Sequence, residues 1–124
     1  MTDRVTKAID LREKAALLPG LWQPGIVAQL NDYQLKIVRV QGDFVWHDHP
    51  DTDEAFLVVD GSLRIDLPGG SVTLGPGQLF VVPAGMHHKP YAETETTVLL
   101  IEPSGVVNTG SAGGERTAEP DLWV

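Results

Sequence analysis

The sequence predicts an all-β domain, a sandwich or barrel of short strands preceded by one short helix. Short apolar runs recur from residue 34 to residue 102, and glycine or proline turn signals separate them closely. No long helical pattern intervenes between the runs, which argues against a parallel α/β sheet. The chain has 124 residues, enough for one compact domain and too few for two ordinary ones.

The helix is expected over Thr6 to Leu18. Asp10 and Glu13 resemble a capping pair, Leu11, Ala15 and Leu18 share a face, and Pro19-Gly20 ends the segment. From Gly25 the texture changes. Strands are expected over Gln34 to Val40, Phe44 to His47, Ala55 to Val59, Ser62 to Leu67, Val72 to Leu74, Leu79 to Val82 and Thr97 to Glu102. Asp60-Gly61 reads as a tight hairpin turn with positive φ at both residues, and Gly69-Gly70, Pro76-Gly77 and Ala84-Gly85 supply further breaks. After Pro103 the chain turns small and polar through Asn108 to Arg116. Leu122-Trp123-Val124 is apolar and is expected to dock on the barrel or on a partner subunit. The organisation is thus a helical segment over 1–24, a barrel over 25–102 and a loop and tail over 103–124.

Composition narrows the function classes. Seventeen acidic residues against nine basic ones give a formal charge of −8, which disfavours a nucleic-acid backbone or an anionic membrane as partner. Cysteine is absent, which removes disulfides and thiolate chemistry and fits a reducing compartment. The segment Met1 to Lys7 shows no secretory pattern and no apolar run is long enough to span a bilayer, so a cytoplasmic location is expected.

Chemistry concentrates at the four histidines, His47 with His49 and His87 with His88. In a strand, residues i and i+2 face the same way, so His47 and His49 can converge on one ion. Glu54 follows after the short Pro50-Asp51-Thr52-Asp53 connection, which can return the chain beside them. Imidazole with carboxylate suits iron, manganese, nickel, zinc or copper better than calcium or magnesium. A histidine pair alone also fits a surface strand. The second pair lies behind the rigid Pro83-Ala84-Gly85 turn, where a closed sheet would bring the two together. Asp48, Asp51 and Asp53 are either outer contacts of such a site or solvated turn residues.

Gly42, His47, His49, Glu54 and Gly61 resemble the first motif of the cupin superfamily, and Gly77, Pro83, Gly85 and His88 resemble the second. The similarity spans about residues 25–102. The spacing from Gly42 to His47 is one residue shorter than the commonest pattern, and Ala92 stands where an asparagine is frequent, which suggests a divergent subgroup. The resemblance implies a double-stranded β-helix (jelly-roll) barrel holding one divalent transition metal on His47, His49, Glu54 and His88. His87 then faces outward. By parity with these ligands, Val45, Phe56, Val58 and Met86 line the substrate pocket, and Trp46 lies outside as external packing or a dimer contact. Trp22 and Tyr91 receive no assignment.

Such a cupin is expected to be a metal-dependent enzyme on a small organic molecule, with Glu54 able to serve as a base. The favoured chemistry is an oxygen-using oxidation of an enol, diketone or phenol, because the pocket reads as apolar and Lys36, Arg39, Arg64 and Lys89 form no evident phosphate clamp. The alternatives are a sugar or sugar-phosphate isomerase, a lyase and a non-catalytic small-molecule binding module. A purely structural barrel is disfavoured, since clustered buried imidazoles and a carboxylate are costly without an ion. The resemblance also implies a homodimer, for which Leu17, Leu18, Leu21, Trp22 and Trp123 offer apolar surface.

Overall fold

A computed structural model describes residues 7–110, 112–115, 117–119 and 122–124. Its one helix, α1 (Leu11–Ala16), begins where the sequence places a cap: the Asp10 side chain accepts from the backbone N–H groups of Arg12 and Glu13. The helix is shorter than expected, and Thr6 lies outside the described residues. Seven strands follow, β1 (Gly25–Leu30), β2 (Tyr33–Asp43), β3 (Glu54–Asp60), β4 (Leu63–Leu67), β5 (Gly70–Leu74), β6 (Leu79–Val82) and β7 (Lys89–Pro103).

All strand pairs are antiparallel, and the principal layer runs β1-β2-β7-β3-β6. β7 is long enough to serve two layers. One edge of β7 pairs with β2 from Tyr91 to Pro103; on the other edge Thr97 to Ile101 pair with β3, whereas Lys89 to Tyr91 pair with β4, which carries β5 on its other side. The sheet therefore folds over on itself as a β-barrel of the jelly-roll kind, with its core between the layers.

Strand alternation sorts the side chains. In β3, Glu54, Phe56 and Val58 are buried inside while Ala55, Leu57 and Val59 face outward. The interior cluster joins Val38, Val40, Phe56, Val58, Leu63, Ile65, Val98 and Leu100. A second cluster forms on the outer face of the principal sheet, where Ala15 and Leu18 from the helical segment cover Val27, Ile37 and Leu99. A helix of one and a half turns is held by this packing rather than by its own hydrogen bonds.

Three expectations are corrected. Asp60-Gly61 is not a hairpin turn: β3 pairs with β6 and β7, β4 with β5 and β7, so Gly61 (φ +97°) carries the chain from one layer to the other. Asp60 has no positive φ. The two-residue hairpins are Asn31-Asp32 between β1 and β2, and Pro68-Gly69 between β4 and β5. Phe44 to His47 is not a strand; after β2 the chain makes only an isolated bridge, His47 to His88. Finally, Leu18 and Trp22 are buried within the chain and offer no surface to a second copy, whereas Leu17, Leu21 and Trp123 stay exposed.

The tail does return to the barrel. Trp123 bridges Ile26 in parallel, Ile26 N–H donates to the Leu122 carbonyl, and Val124 N–H donates to the Ile26 carbonyl. Ser111, Arg116, Pro120 and Asp121 of this segment lie outside the described residues.

Candidate metal centre

The barrel brings the four expected side chains to one point. One donor atom from each of His47, His49, Glu54 and His88 lies within 4.8 Å of the others, and all four residues are buried. His47 and His88 face each other across their bridge, each N–H donating to the other's carbonyl. Glu54 opens β3, directed inward by the parity that buries Phe56. His49 sits in the connecting loop, where Gly85 N–H donates to its carbonyl at 2.9 Å. The Pro83–Gly85 turn thus ties the two motif segments together. Asp53 reinforces it by accepting from the Ala84 N–H at 2.8 Å, a structural part rather than a purely solvated one.

Hydrogen bonding sets the chemistry of these donors. The Nδ1 atoms of His47 and His88 lie 2.9 Å from the carbonyl oxygens of Val45 and Met86. A carbonyl can only accept, so the proton sits on Nδ1 and Nε2 presents a lone pair. Nε2 of His49 and of His88 and Oε1 of Glu54 are buried without a hydrogen-bond partner. Their mutual distances, 3.3 Å from His49 to Glu54 and 3.4 Å from His88 to Glu54, leave them close but unsatisfied. Converging buried acceptors of this kind fit a cation with nitrogen and oxygen preferences, and a divalent transition ion matches the donor set.

Burial, aided by the neighbouring His88, lowers His47 from 6.5 to about 4, so its imidazole is neutral at pH 7 and able to ligate. Glu54 is pulled in the opposite sense to its burial. Desolvation alone would raise it, but the neighbouring His49 ring holds it below the usual carboxylate range.

Sequence reasoning missed the layer behind Glu54. Lys36 on β2 and Glu102 on β7 are both buried and paired, Nζ to Oε2 at 3.1 Å, and Lys36 also donates to the Val106 carbonyl at 3.2 Å. Burial together with the nearby Glu54 charge pushes Glu102 up to about 9, so it keeps its proton at pH 7. Lys36 and Glu102 take inward positions on strands that also carry outward charges such as Arg39, Glu93 and Glu95, so the local pattern does not mark the pair.

His47 and Glu54 open onto a cavity of about 40 Å³, lined chiefly by Trp22, Phe44, Phe56, Leu63, Val98 and Leu100. That is room for a few water molecules or the reacting end of a small one. No Lys or Arg lines it. Of the expected pocket residues, Phe56 is in the wall. Val45, Val58 and Met86 do not line the cavity: Val58 keeps its inward parity but lies within the core, Met86 packs against that core, and the chain around residue 45 is not a strand, so the parity expected for Val45 does not carry over. Phe44 and Trp22 take those places, with rings stacked at 4.7 Å, and Phe44 meets the His47 ring edge-on at 5.2 Å. His87 and Trp46 are exposed as expected, and their rings lie 5.5 Å apart outside the site.

Comparison with known proteins agrees with the fold. The cupin domain family model matches residues 35–103, more than half of the chain. The chain belongs to the cupin family. It is 30% identical over 77 residues to the Bacillus subtilis (strain 168) protein YdbB, covering 61% of this chain and 68% of that one. A cupin-2 domain protein from Shewanella frigidimarina is 44% identical, with a TM-score of 0.77 over 80% of this chain and 97% of that chain. The fold is also similar to hydroquinone 1,2-dioxygenase PnpCD in complex with Cd2+ and 4-hydroxybenzonitrile, at 20% identity and a TM-score of 0.73. That likeness covers 85% of this chain and 77% of the dioxygenase chain.

Proposed function

We propose that this cupin is a metal-dependent enzyme that oxidises a small enol, diketone or phenol with dioxygen. His47, His49, Glu54 and His88 would hold one iron, manganese, nickel, zinc or copper ion. The observation that carries this reading is the set of unpartnered buried acceptors on His49, Glu54 and His88, of which Glu54 opens with His47 onto an apolar cavity. A bound divalent ion supplies Lewis-acid or redox chemistry at that point.

The chain's own residues account for the rest. Trp22, Phe44 and Phe56 form an aromatic wall that packs a planar ring and excludes water. Glu54, opening onto the same space, is the carboxylate placed to receive a proton from a phenol or enol. A phosphorylated sugar is disfavoured because no cationic side chain lines the cavity. The dioxygenase of similar fold, seen with a phenolic nitrile and a divalent ion, supports this choice of substrate class. A cytoplasmic location, on the cysteine-free composition, and a homodimeric state belong to the same reading.

Elemental analysis of protein purified without a histidine tag tests the metal. One bound transition ion per chain is expected, lost in His49→Ala while the circular dichroism is kept. A wild-type protein that is isolated metal-free and takes up none of the five ions overturns the reading. Oxygen uptake with hydroquinones, catechols and β-diketones tests the reaction. No uptake by the loaded protein with any of them, alongside turnover of a sugar phosphate, would replace oxidation by isomerisation.

A further inference from the structure

The segment after β7 reaches back to the proposed metal ligands. Val106 accepts from Lys36, and the Asn108 side chain donates to the Trp22 carbonyl at 3.3 Å while accepting from Ala118 N–H at 2.9 Å. Thr109 has no exposed surface, and its hydroxyl meets that of Thr117 at 2.7 Å. Gly110 N–H donates to the Val107 carbonyl at 2.9 Å, and Ala112 N–H donates to the Thr109 carbonyl at 3.0 Å. These bonds make residues 106–110 a fixed turn set against the His49 loop.

His47 and His88 are each oriented by an Nδ1 bond to the carbonyl two residues earlier. His49 is confined from another direction. A Cβ on Gly110 would collide with the Asp48 carbonyl oxygen and stand 3.1 Å from His49 Nδ1. Gly110 also has φ +56°, so glycine is favoured here by backbone conformation as well as by space.

We propose that Gly110 is a positioning residue of the metal centre: the tail turn it allows fixes the His49 imidazole, so residues 106–110 belong to the site rather than to a passive tail. This rests on the metal reading above. It extends that reading because the turn lies beyond the two cupin motifs and beyond residue 103, where the family match ends. Groups packed around ligands typically change metal affinity by about 10–100-fold when altered.

The test is Co2+ titration of metal-free protein against a competing chelator, with the visible spectrum of the bound ion recorded. Gly110→Ala is expected to weaken Co2+ by about 10–100-fold and to alter the spectrum. Gly113→Ala is the control, since Gly113 also has positive φ (+64°) but nothing within 4 Å of its Cβ position. It bears comparable backbone strain without the His49 contact and is expected to bind Co2+ like wild type. Equal affinities for Gly110→Ala and Gly113→Ala overturn the proposal. If Gly110→Ala does not fold, Thr117→Val decides, because it breaks the Thr109–Thr117 bond without touching His49. Several-fold weaker Co2+ at an unchanged metal-free melting temperature supports the proposal, and wild-type affinity overturns it. A wild-type protein that binds no Co2+ fails earlier and overturns the metal reading itself.

Discussion

His47 is held neutral by burial and by His88, and this has a consequence for acid stability in the metal-free protein. Its folded value, about 4, lies below the unfolded value of 6.5. Between the two, the unfolded chain takes up a proton that the native chain refuses, so stability falls as pH drops through that window and is fully present above it. Glu54 contributes in the same direction only below its ordinary value of 4.5. Glu102 works in the opposite sense: its folded value, about 9, lies above the ordinary 4.5, so its contribution grows as pH drops through the interval from 6.5 to 4.5. The contribution of His47 is therefore read as a difference between variants. Thermal unfolding of chelator-treated protein across that interval should show the melting temperature of the wild type falling further, or rising less, than that of His47→Gln; equal slopes would contradict the assignment. At this scale the four candidate ligands were legible because two short motifs name them by type and spacing. The Lys36–Glu102 pair was not, since its members stand 66 residues apart and meet only through the β2–β7 register.

Elements were less legible than residues where a local signal served a non-local purpose. Asp60-Gly61 has the composition of a hairpin turn, yet it links strands in different layers. The reason lies across the barrel at Thr96. Its hydroxyl accepts from Ser62 N–H at 3.1 Å and donates to the Ser62 carbonyl at 3.0 Å, holding the crossover against β7. A Cβ on Gly61 would fall 2.5 Å from that hydroxyl and 3.0 Å from the Thr96 Cα. Gly69, with nearly the same φ, has open space around it. Alanine at either position bears about 1–3 kcal/mol of left-handed strain, but only Gly61→Ala adds a backbone collision. Urea denaturation should therefore rank Gly61→Ala below Gly69→Ala by about 1 kcal/mol or more, the usual scale of overpacking. Matching midpoints and slopes would remove this account of the motif glycine. The Phe44–His47 run failed as a strand for a related reason: Phe44 turns into the cavity wall, Trp46 stays exposed, and only His47 makes a bridge.

On the scale of the molecule, the two ends of the principal sheet are treated differently. At β1 the returning tail makes a short parallel bridge through Trp123, which covers backbone groups that would otherwise invite another strand. At the opposite end β6 has no strand beyond it among the described residues, and it presents Leu79 at 56% and Val81 at 48% exposure. The outward residues of β3 that pair beside them, Leu57 and Ala55, are apolar too, so the edge continues into a patch without charge. A chain with a net charge of −8 repels its own copies broadly, and close approach is least opposed over such a neutral face. A two-fold pairing of β6 with β6 of a second copy would satisfy both the open backbone groups and the apolar side chains. This moves the expected homodimer contact away from Leu18 and Trp22, which the fold buries, to the far edge of the sheet. Light scattering at micromolar concentration should give a dimer mass for the wild type and a monomer mass for Leu79→Lys with Val81→Lys. Metal content should be unchanged in that double variant, because neither side chain reaches the barrel interior. A wild-type monomer, or a dimer indifferent to both substitutions, would rule out this edge.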